Sequence, residues 1–182
     1  MDEAEPQARL NAADTIAAMS TGEHLRIVPA TANDTAIILR MIKGLAEYEK
    51  LSDRVTATEA ALREQLFGAN PAAEVCLAFI GEEPVGFAVF HGTFSTFACR
   101  PGIYLEDVFV EPPWRSRGVG HRLLAHVASI GAARGCQSMT WAVLPWNEPA
   151  IRFYRRLGAE KVTGWDGFRI DGEAFGKLVR LR

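Results

Sequence analysis

The sequence has little that would suit it to a membrane, a nucleic acid or an oxidising compartment. Its 182 residues carry a formal net charge of −2, so no excess of positive charge favours nucleic acid or an anionic membrane surface. No apolar run approaches the roughly 20 residues of a membrane-spanning helix, and the acidic start MDEAEP is unlike a secretory signal. We therefore expect a cytoplasmic protein that binds neither nucleic acid nor membrane.

The cysteines are few and scattered. Cys76, Cys99 and Cys136 are odd in number and far apart, and the sequence has no Cys-x-x-Cys pair and no cluster of Cys with His. This spacing favours neither a metal site nor a disulfide framework. We expect all three to be reduced packing residues.

A single domain is the expected organisation. Apolar residues make up 48% of the chain, and no linker rich in Pro, Gly or Ser divides it. Residues 1–24 show no apolar stripe that would tie them to a core, so they are predicted to be a mobile tail. The domain is expected to run over 25–182.

Hydrophobic periodicity predicts a mixed α/β domain. Strands are expected over 25–28, 74–80, 84–91, 103–110 and 138–144, with two short closing strands over 161–162 and 168–170. Helices are expected after a cap at Thr31 or Asn33, over 60–67 behind a Thr56–Glu59 capping box, over 118–134 and over 148–157. The alternation of strand and helix after residue 103 requires a parallel crossover, so the fold class is α/β or α+β with a central mixed sheet.

A glycine-rich helix start is the candidate cofactor site. After a strand that ends at Val110, the chain turns through two prolines and continues as Arg115-Ser116-Arg117-Gly118-Val119-Gly120. The two glycines have no Cβ atom to keep a ligand from the unpaired N–H groups of the first helical turn, where the helix dipole favours an anion. The two arginines add charge-assisted donors. The segment therefore suits a pyrophosphate.

Two other glycine-rich motifs do not fit this segment. A P-loop requires Gly-Lys followed by Ser or Thr, which does not occur after Gly118, and a dinucleotide fingerprint requires a third glycine where this chain has Leu123. A helix start that only turns the chain tightly remains an alternative.

The motif RSRGVG fits the Q/R-x-x-G-x-G/A signature of the GNAT acetyltransferase superfamily, which the chain resembles over about 25–181. The stretches RIVPAT at 26–31, YLED at 104–107, WNEP at 146–149 and FY at 153–154 are similar to its spermidine/spermine and thialysine N-acetyltransferase branch. The resemblance implies a homodimeric GNAT fold. Its mixed, mostly antiparallel sheet, flanked by helices, would bind acetyl-CoA where the fourth and fifth strands splay apart.

The resemblance also implies roles for individual residues. The acetyl-pantetheine arm and the pyrophosphate would contact Val108, Phe109, Val110, Arg115, Ser116, Arg117, Gly118, Val119, Gly120, His121, Asn147, Glu148, Pro149 and Ala150. An ammonium with a pKa near 10.4 is neutral in only roughly one molecule in a few thousand at pH 7, so a proton acceptor is needed. Glu106 matches the family's base, and Tyr154 matches its general acid for the coenzyme A thiolate. Asn147 also suits an N-cap, and both amphipathic packing of Tyr154 and simple surface charge at Glu106 are alternatives.

The amine site implied by the resemblance is acidic. Its residues would be Tyr48, Glu49, Glu106, Asp107 and Asp166. Because side chains alternate along a strand, Glu106 and Asp107 are expected on opposite faces. Polyamine acetylases have Asp-Pro-Trp where this chain has Thr96-Phe97-Ala98, which favours a thialysine-like amino acid or a short diamine over a polyamine.

The predicted activity is acetylation of a primary amine of a small molecule, by direct attack of the amine on acetyl-CoA. The acceptor would be a thialysine-like amino acid, a diamine or a polyamine. Two alternatives stay open: an aminoglycoside or protein N-acetyltransferase, and a non-catalytic module that binds acetyl-CoA. The presence of both Glu106 and Tyr154 favours catalysis over binding alone.

Overall fold

The computed structural model describes residues 24–181, whose strands form a five-stranded mixed sheet with the order β1-β2-β3-β4-β5. The strands are β1 (Leu25–Pro29), β2 (Glu74–Ile80), β3 (Glu83–Ser95), β4 (Arg100–Val110) and β5 (Met139–Thr140). Neighbours from β1 to β4 are antiparallel, whereas β4 and β5 are parallel. The predicted fold class is confirmed. The predicted mobile tail lies outside the described residues, except for His24.

Side-chain oxygens accept the first N–H groups of some of the helices. The helices are α1 (Thr35–Glu49), α2 (Glu59–Phe67), α3 (Val119–Ala133), α4 (Glu148–Arg156) and α5 (Gly172–Val179). Thr31 and Asp34 form a capping box on the short 3-10 turn that leads into α1, as expected for a cap at Thr31. The cap of α2 is Thr58, whose hydroxyl accepts the Ala61 N–H group at 3.2 Å, and not Thr56.

The sheet is covered on both faces. On one face Ile38 and Met41 of α1 form a buried apolar cluster with sheet residues Val75, Leu77, Phe87, Val89 and Phe109. On the other, α3 contacts β3 so closely that a Cβ atom at Gly86 would lie 3.3 Å from the Leu123 side chain. Burial of each large side chain stabilises the fold by about 1.5–3 kcal/mol. Both faces of β2 and β3 are covered, which explains why these strands are nearly continuous apolar runs.

The three cysteines are free but do not share one environment. Cys76 is buried in β2, and this burial raises the pKa of its thiol to about 11. Cys136 is half-buried. Cys99 is exposed on the turn between β3 and β4, so the expectation that it is a packing residue is wrong.

The described chain divides into two compact units at Ala142. The first unit contains the sheet with α1, α2 and α3, and the second contains α4 and α5. None of the helices in the described part of the chain is both long and apolar enough to span a bilayer.

The second unit differs from the sequence-based prediction. Residues 157–171 contain no strand, so the predicted closing strands at 161–162 and 168–170 are wrong. Strands this short form few ladder bonds to offset the entropy of ordering the chain. The helix α5 that follows had a sequence signal, because Phe175 and Leu178 recur at helical spacing and Lys177 pairs with Glu173 at 2.8 Å.

Candidate active site

Glu106 lies at an irregularity in the pairing of β3 with β4. Val89 is opposite Asp107, but the next residue of β3, Phe90, is opposite Leu105, so Glu106 is an extra residue without a partner. Such an extra residue is a β-bulge. At a bulge the alternation of side chains between the two faces of the sheet is shifted by one residue.

The bulge brings the side chains of Glu106 and Asp107 to the same face. Before it, Ile103 faces α3, because a Cβ atom at Gly131 would lie 2.8 Å from the Ile103 Cδ1 atom. Glu106, three residues later, therefore faces α1. After the bulge, Phe109 packs its ring against α1, and Asp107, two residues earlier, shares that face. The prediction that the two carboxylates face apart is wrong, since it assumed an uninterrupted strand.

The carboxylates on this face perturb one another. Burial, followed by the negative charges of Glu106 and Glu49, raises the pKa of the Asp107 carboxyl from 3.8 to about 6. Burial also raises the pKa of Glu49, the last residue of α1. A cation beside these groups would relieve the repulsion between them. The acidic cluster of Glu49, Glu106 and Asp107 is therefore suited to an ammonium group.

Glu106 is the most accessible member of the acidic cluster. Its side chain is 58% exposed, and a carboxylate oxygen lies 4.0 Å from the His91 Nε2 atom. The His91 ring stacks on Tyr104 with 5.4 Å between ring centroids. His91 was not among the predicted site residues. It lies near Glu106 because β3 pairs with β4, with His91 opposite Tyr104.

The end of β4 is open on the side of β5. The two strands pair only where Ile103 and Tyr104 meet Met139 and Thr140. Among the described residues, β4 from Leu105 to Val110 has no strand partner on that side. Apart from the Val110 carbonyl, which accepts a hydrogen bond from the Arg115 Nε atom, its backbone N–H and C=O groups on that side can pair with an amide-rich ligand. This is the predicted splay between the fourth and fifth strands.

The glycine-rich loop connects the open end of β4 to α3. Ser116 and Gly118 adopt left-handed backbone angles, with φ of +61° and +81°, and α3 begins at Val119 without a side-chain cap. A Cβ atom at Gly118 would meet no protein atom within 4 Å, so the space above the helix start is open. Uncapped N–H donors that face open space fit an anionic group such as a pyrophosphate.

The two arginines of the loop lie against aromatic rings. The guanidinium of Arg117 lies 4.9 Å from the centroid of the Trp114 ring. That of Arg115 lies 4.6 Å from the ring centroid of Tyr48, near the end of α1. Arg115 therefore contacts the last turn of α1, whose final residue is Glu49. Residues 48 and 115 are too far apart in sequence for local patterns to reveal this contact.

The remaining predicted site residues belong to the second unit. Asn147 caps α4, its side-chain oxygen accepting the Ala150 N–H group at 3.2 Å, with Pro149 in the first turn. The capping alternative for Asn147 is therefore confirmed. Tyr154 lies in the last turns of α4 beside Phe153, with 5.4 Å between ring centroids. Asp166 is exposed on the irregular segment that precedes α5.

The comparisons with known proteins identify the family. Residues 42–159 match the acetyltransferase (GNAT) family, and the chain belongs to this family. It is 41% identical to a thialysine N-epsilon-acetyltransferase of Sus scrofa, over 82% of this chain and 94% of that protein. It is 27% identical to an L-ornithine N5-acetyltransferase of Arabidopsis thaliana, over 86% of this chain and 88% of that protein.

The fold is shared with a solved structure from the mobile metagenome of Vibrio cholerae, an integron cassette protein. The two superpose with a TM-score of 0.74 at 24% identity, over 87% of this chain and 99% of the other. Its family and its thialysine acetyltransferase relatives show that the protein is an N-acetyltransferase whose acetyl donor is acetyl-CoA, which is released as coenzyme A. The predicted family, reaction type and cofactor are confirmed.

Proposed function

We propose that this N-acetyltransferase acetylates the terminal primary amine of a small molecule, a thialysine-like amino acid, diamine or polyamine. The observation that carries the proposal is the β-bulge at Glu106, which gathers Glu106 and Asp107 on the face where Glu49 ends α1. Three carboxylates around one space select a cationic acceptor over a neutral one. The names of the relatives, thialysine and ornithine acetyltransferases, support the same class of acceptor.

Glu106 is the proposed base. Acetyl-CoA supplies the acetyl group as a thioester, and the acceptor nitrogen must be uncharged to attack its carbonyl carbon. Glu106 would take the proton from that nitrogen, directly or through water, since its side chain is partly exposed. Asp107 and Glu49 would bind the ammonium beforehand, with Tyr48 and Asp166 as further substrate contacts.

Tyr154 is the proposed general acid. As the C–N bond forms and the C–S bond breaks, the electron pair of the broken bond goes to sulfur. The Tyr154 hydroxyl would give its proton to that sulfur, so that coenzyme A leaves as a thiol. Its place in the FY pair of α4 and the family resemblance support this role.

The cofactor would bind along the open end of β4 and the helix start of α3. The backbone of Val108, Phe109 and Val110 would pair with the pantetheine amides, and residues 116–121 would bind the pyrophosphate. Residues 147–150 at the start of α4 would complete the arm's site. Support comes from the missing strand partner of β4 within the described residues and the open space at Gly118. A homodimer and a cytoplasmic location remain predictions.

Coenzyme A release tests this proposal. A thiol reagent would follow turnover with thialysine, lysine, ornithine, putrescine, spermidine, an aminoglycoside and a peptide. We expect rapid turnover on a small amine, and a fall in kcat of about 100-fold in Tyr154→Phe, the usual size of a general-acid contribution. Tyr104→Phe makes the same chemical change outside the proposed machinery and should stay within a few-fold of wild type. A Tyr154→Phe turnover within a few-fold of wild type would exclude the general-acid role.

A further inference from the structure

Arg115 is held in one orientation by contacts from two elements. Its Nε atom donates to the Val110 carbonyl at 2.9 Å. Its guanidinium lies 4.6 Å from the ring centroid of Tyr48 on α1 and 5.4 Å from that of Phe109 on β4. Contacts of a guanidinium with two ring faces and a carbonyl restrict its rotamers and hold the charge in place.

This guanidinium has no carboxylate partner in the part of the chain that the structure describes. Within residues 24–181 the bond to Val110 uses Nε, and neither terminal nitrogen has a hydrogen bond or an ion pair. By contrast, Arg134 pairs in a bidentate manner with Glu74. Arg115 therefore presents a half-buried positive charge and a planar pair of donors, the geometry that binds a carboxylate through two hydrogen bonds.

The unpaired charge contacts the same two elements that carry the acidic cluster, α1 and β4. Tyr48 directly precedes Glu49 in α1, and Phe109 follows Asp107 by two residues on the same face of β4. Two residues along a strand span about 7 Å, comparable with the length of a lysine-like side chain. A site with carboxylates at one end and a guanidinium at the other matches a molecule with an amine at one end and a carboxylate at the other.

We propose that Arg115 binds the carboxylate of an amino-acid acceptor and so makes the enzyme prefer amino acids to the diamines that lack this group. The inference rests on the proposed function. Without Arg115, the carboxylates of the acidic cluster would repel the acceptor's own carboxylate. A diamine needs no such partner, and its second ammonium gains nothing from a neighbouring cation. Arg115 is thus a specificity-determining residue, a role that replaces the cofactor contact that the family resemblance implies for it. The N–H groups of residues 116–121 remain the site of the pyrophosphate.

Matched acceptors test the inference, because ornithine and putrescine, or lysine and cadaverine, differ only in the carboxylate. In Arg115→Gln we expect the ratio of kcat/KM for the amino acid to that for the diamine to fall about 10- to 100-fold, the worth of a charge-assisted bidentate contact. The KM for acetyl-CoA should stay within a few-fold of wild type. Gln is compatible with the Q/R-x-x-G-x-G/A signature, and Arg115→Lys, which keeps the charge but not the fork, is the second variant if Gln does not fold.

Arg117→Gln is the matched control, since it removes the neighbouring arginine on the same loop. It should leave the acceptor ratio unchanged and act, if at all, on the KM for acetyl-CoA. Equal losses on both acceptors in Arg115→Gln, or a raised KM for acetyl-CoA with the ratio intact, would overturn the inference. So would a wild-type enzyme that turns over only diamines. Wild-type protein that acetylates none of the amines would instead contradict the proposed function.

Discussion

Asp107 should make the protein less stable at neutral pH than its amide analogue. Burial and the charges of Glu106 and Glu49 raise its pKa from 3.8 to about 6. The folded state therefore holds the proton more tightly than the unfolded chain does. Asp107→Asn removes the buried charge and keeps the shape of the side chain. We expect it to raise the free energy of unfolding above that of wild type.

The size of this stability difference and the pH range in which it appears follow from the pKa shift of Asp107. A difference of about two pKa units corresponds to about 3 kcal/mol at 1.36 kcal/mol per unit. Between about pH 4 and pH 6 the folded state carries the proton and the unfolded state does not, so stability falls as the pH rises. The advantage of Asp107→Asn should be about 3 kcal/mol at most at pH 8, about half of that at pH 5, and about 0.5 kcal/mol at pH 4.

Urea unfolding of both proteins at these three pH values measures the difference. Glu82→Gln is a control, because this fully exposed carboxylate should change stability by less than about 0.5 kcal/mol. Asp107→Asn should also lower kcat/KM for the amine, since one carboxylate of the acidic cluster is lost. Equal stabilities at pH 8, or a difference that does not change with pH, would refute the reasoning.

Two further predictions concern an ion pair of the first unit and a glycine of the loop before α3. Glu74→Gln should lower the free energy of unfolding by about 0.5–1 kcal/mol at pH 7, because it breaks the half-exposed pair with Arg134. This pair lowers the pKa of Glu74. The stability difference between Glu74→Gln and wild type should therefore shrink as the pH falls below 4.5 and vanish below the lowered pKa. Unfolding measured at decreasing pH tests this. Gly118→Ala should cost about 1 kcal/mol, because φ is +81°, and should raise the KM for acetyl-CoA in steady-state assays. Gly135→Ala, with φ of +77° and equally open space, should show the same loss of stability with an unchanged KM.

Local patterns in the sequence were sufficient for most of the first unit. The apolar runs of β2 and β3, a cap at Thr31 or Asn33 and a helix over 118–134 each follow from neighbouring residues. The structure has both strands, a cap at Thr31 and α3 over Val119–Ala133. The second unit was less predictable. Short strands depend on a partner strand for their hydrogen bonds, and no local pattern reports whether that partner is present.

The sequence by itself determined the family, through RSRGVG, YLED, WNEP and FY, and with it acetyl-CoA and N-acetylation. It also located the five strands of the sheet and the three helices of the first unit along the chain. Only the tertiary structure decided how the acceptor end of the site is arranged. The bulge at Glu106 appears in the pairing of two strands, and the pKa of Asp107 depends on burial and on a charge from α1. The orientation of Arg115 depends on rings from α1 and β4. These features arise from contacts between distant segments, whose geometry local residue patterns do not specify.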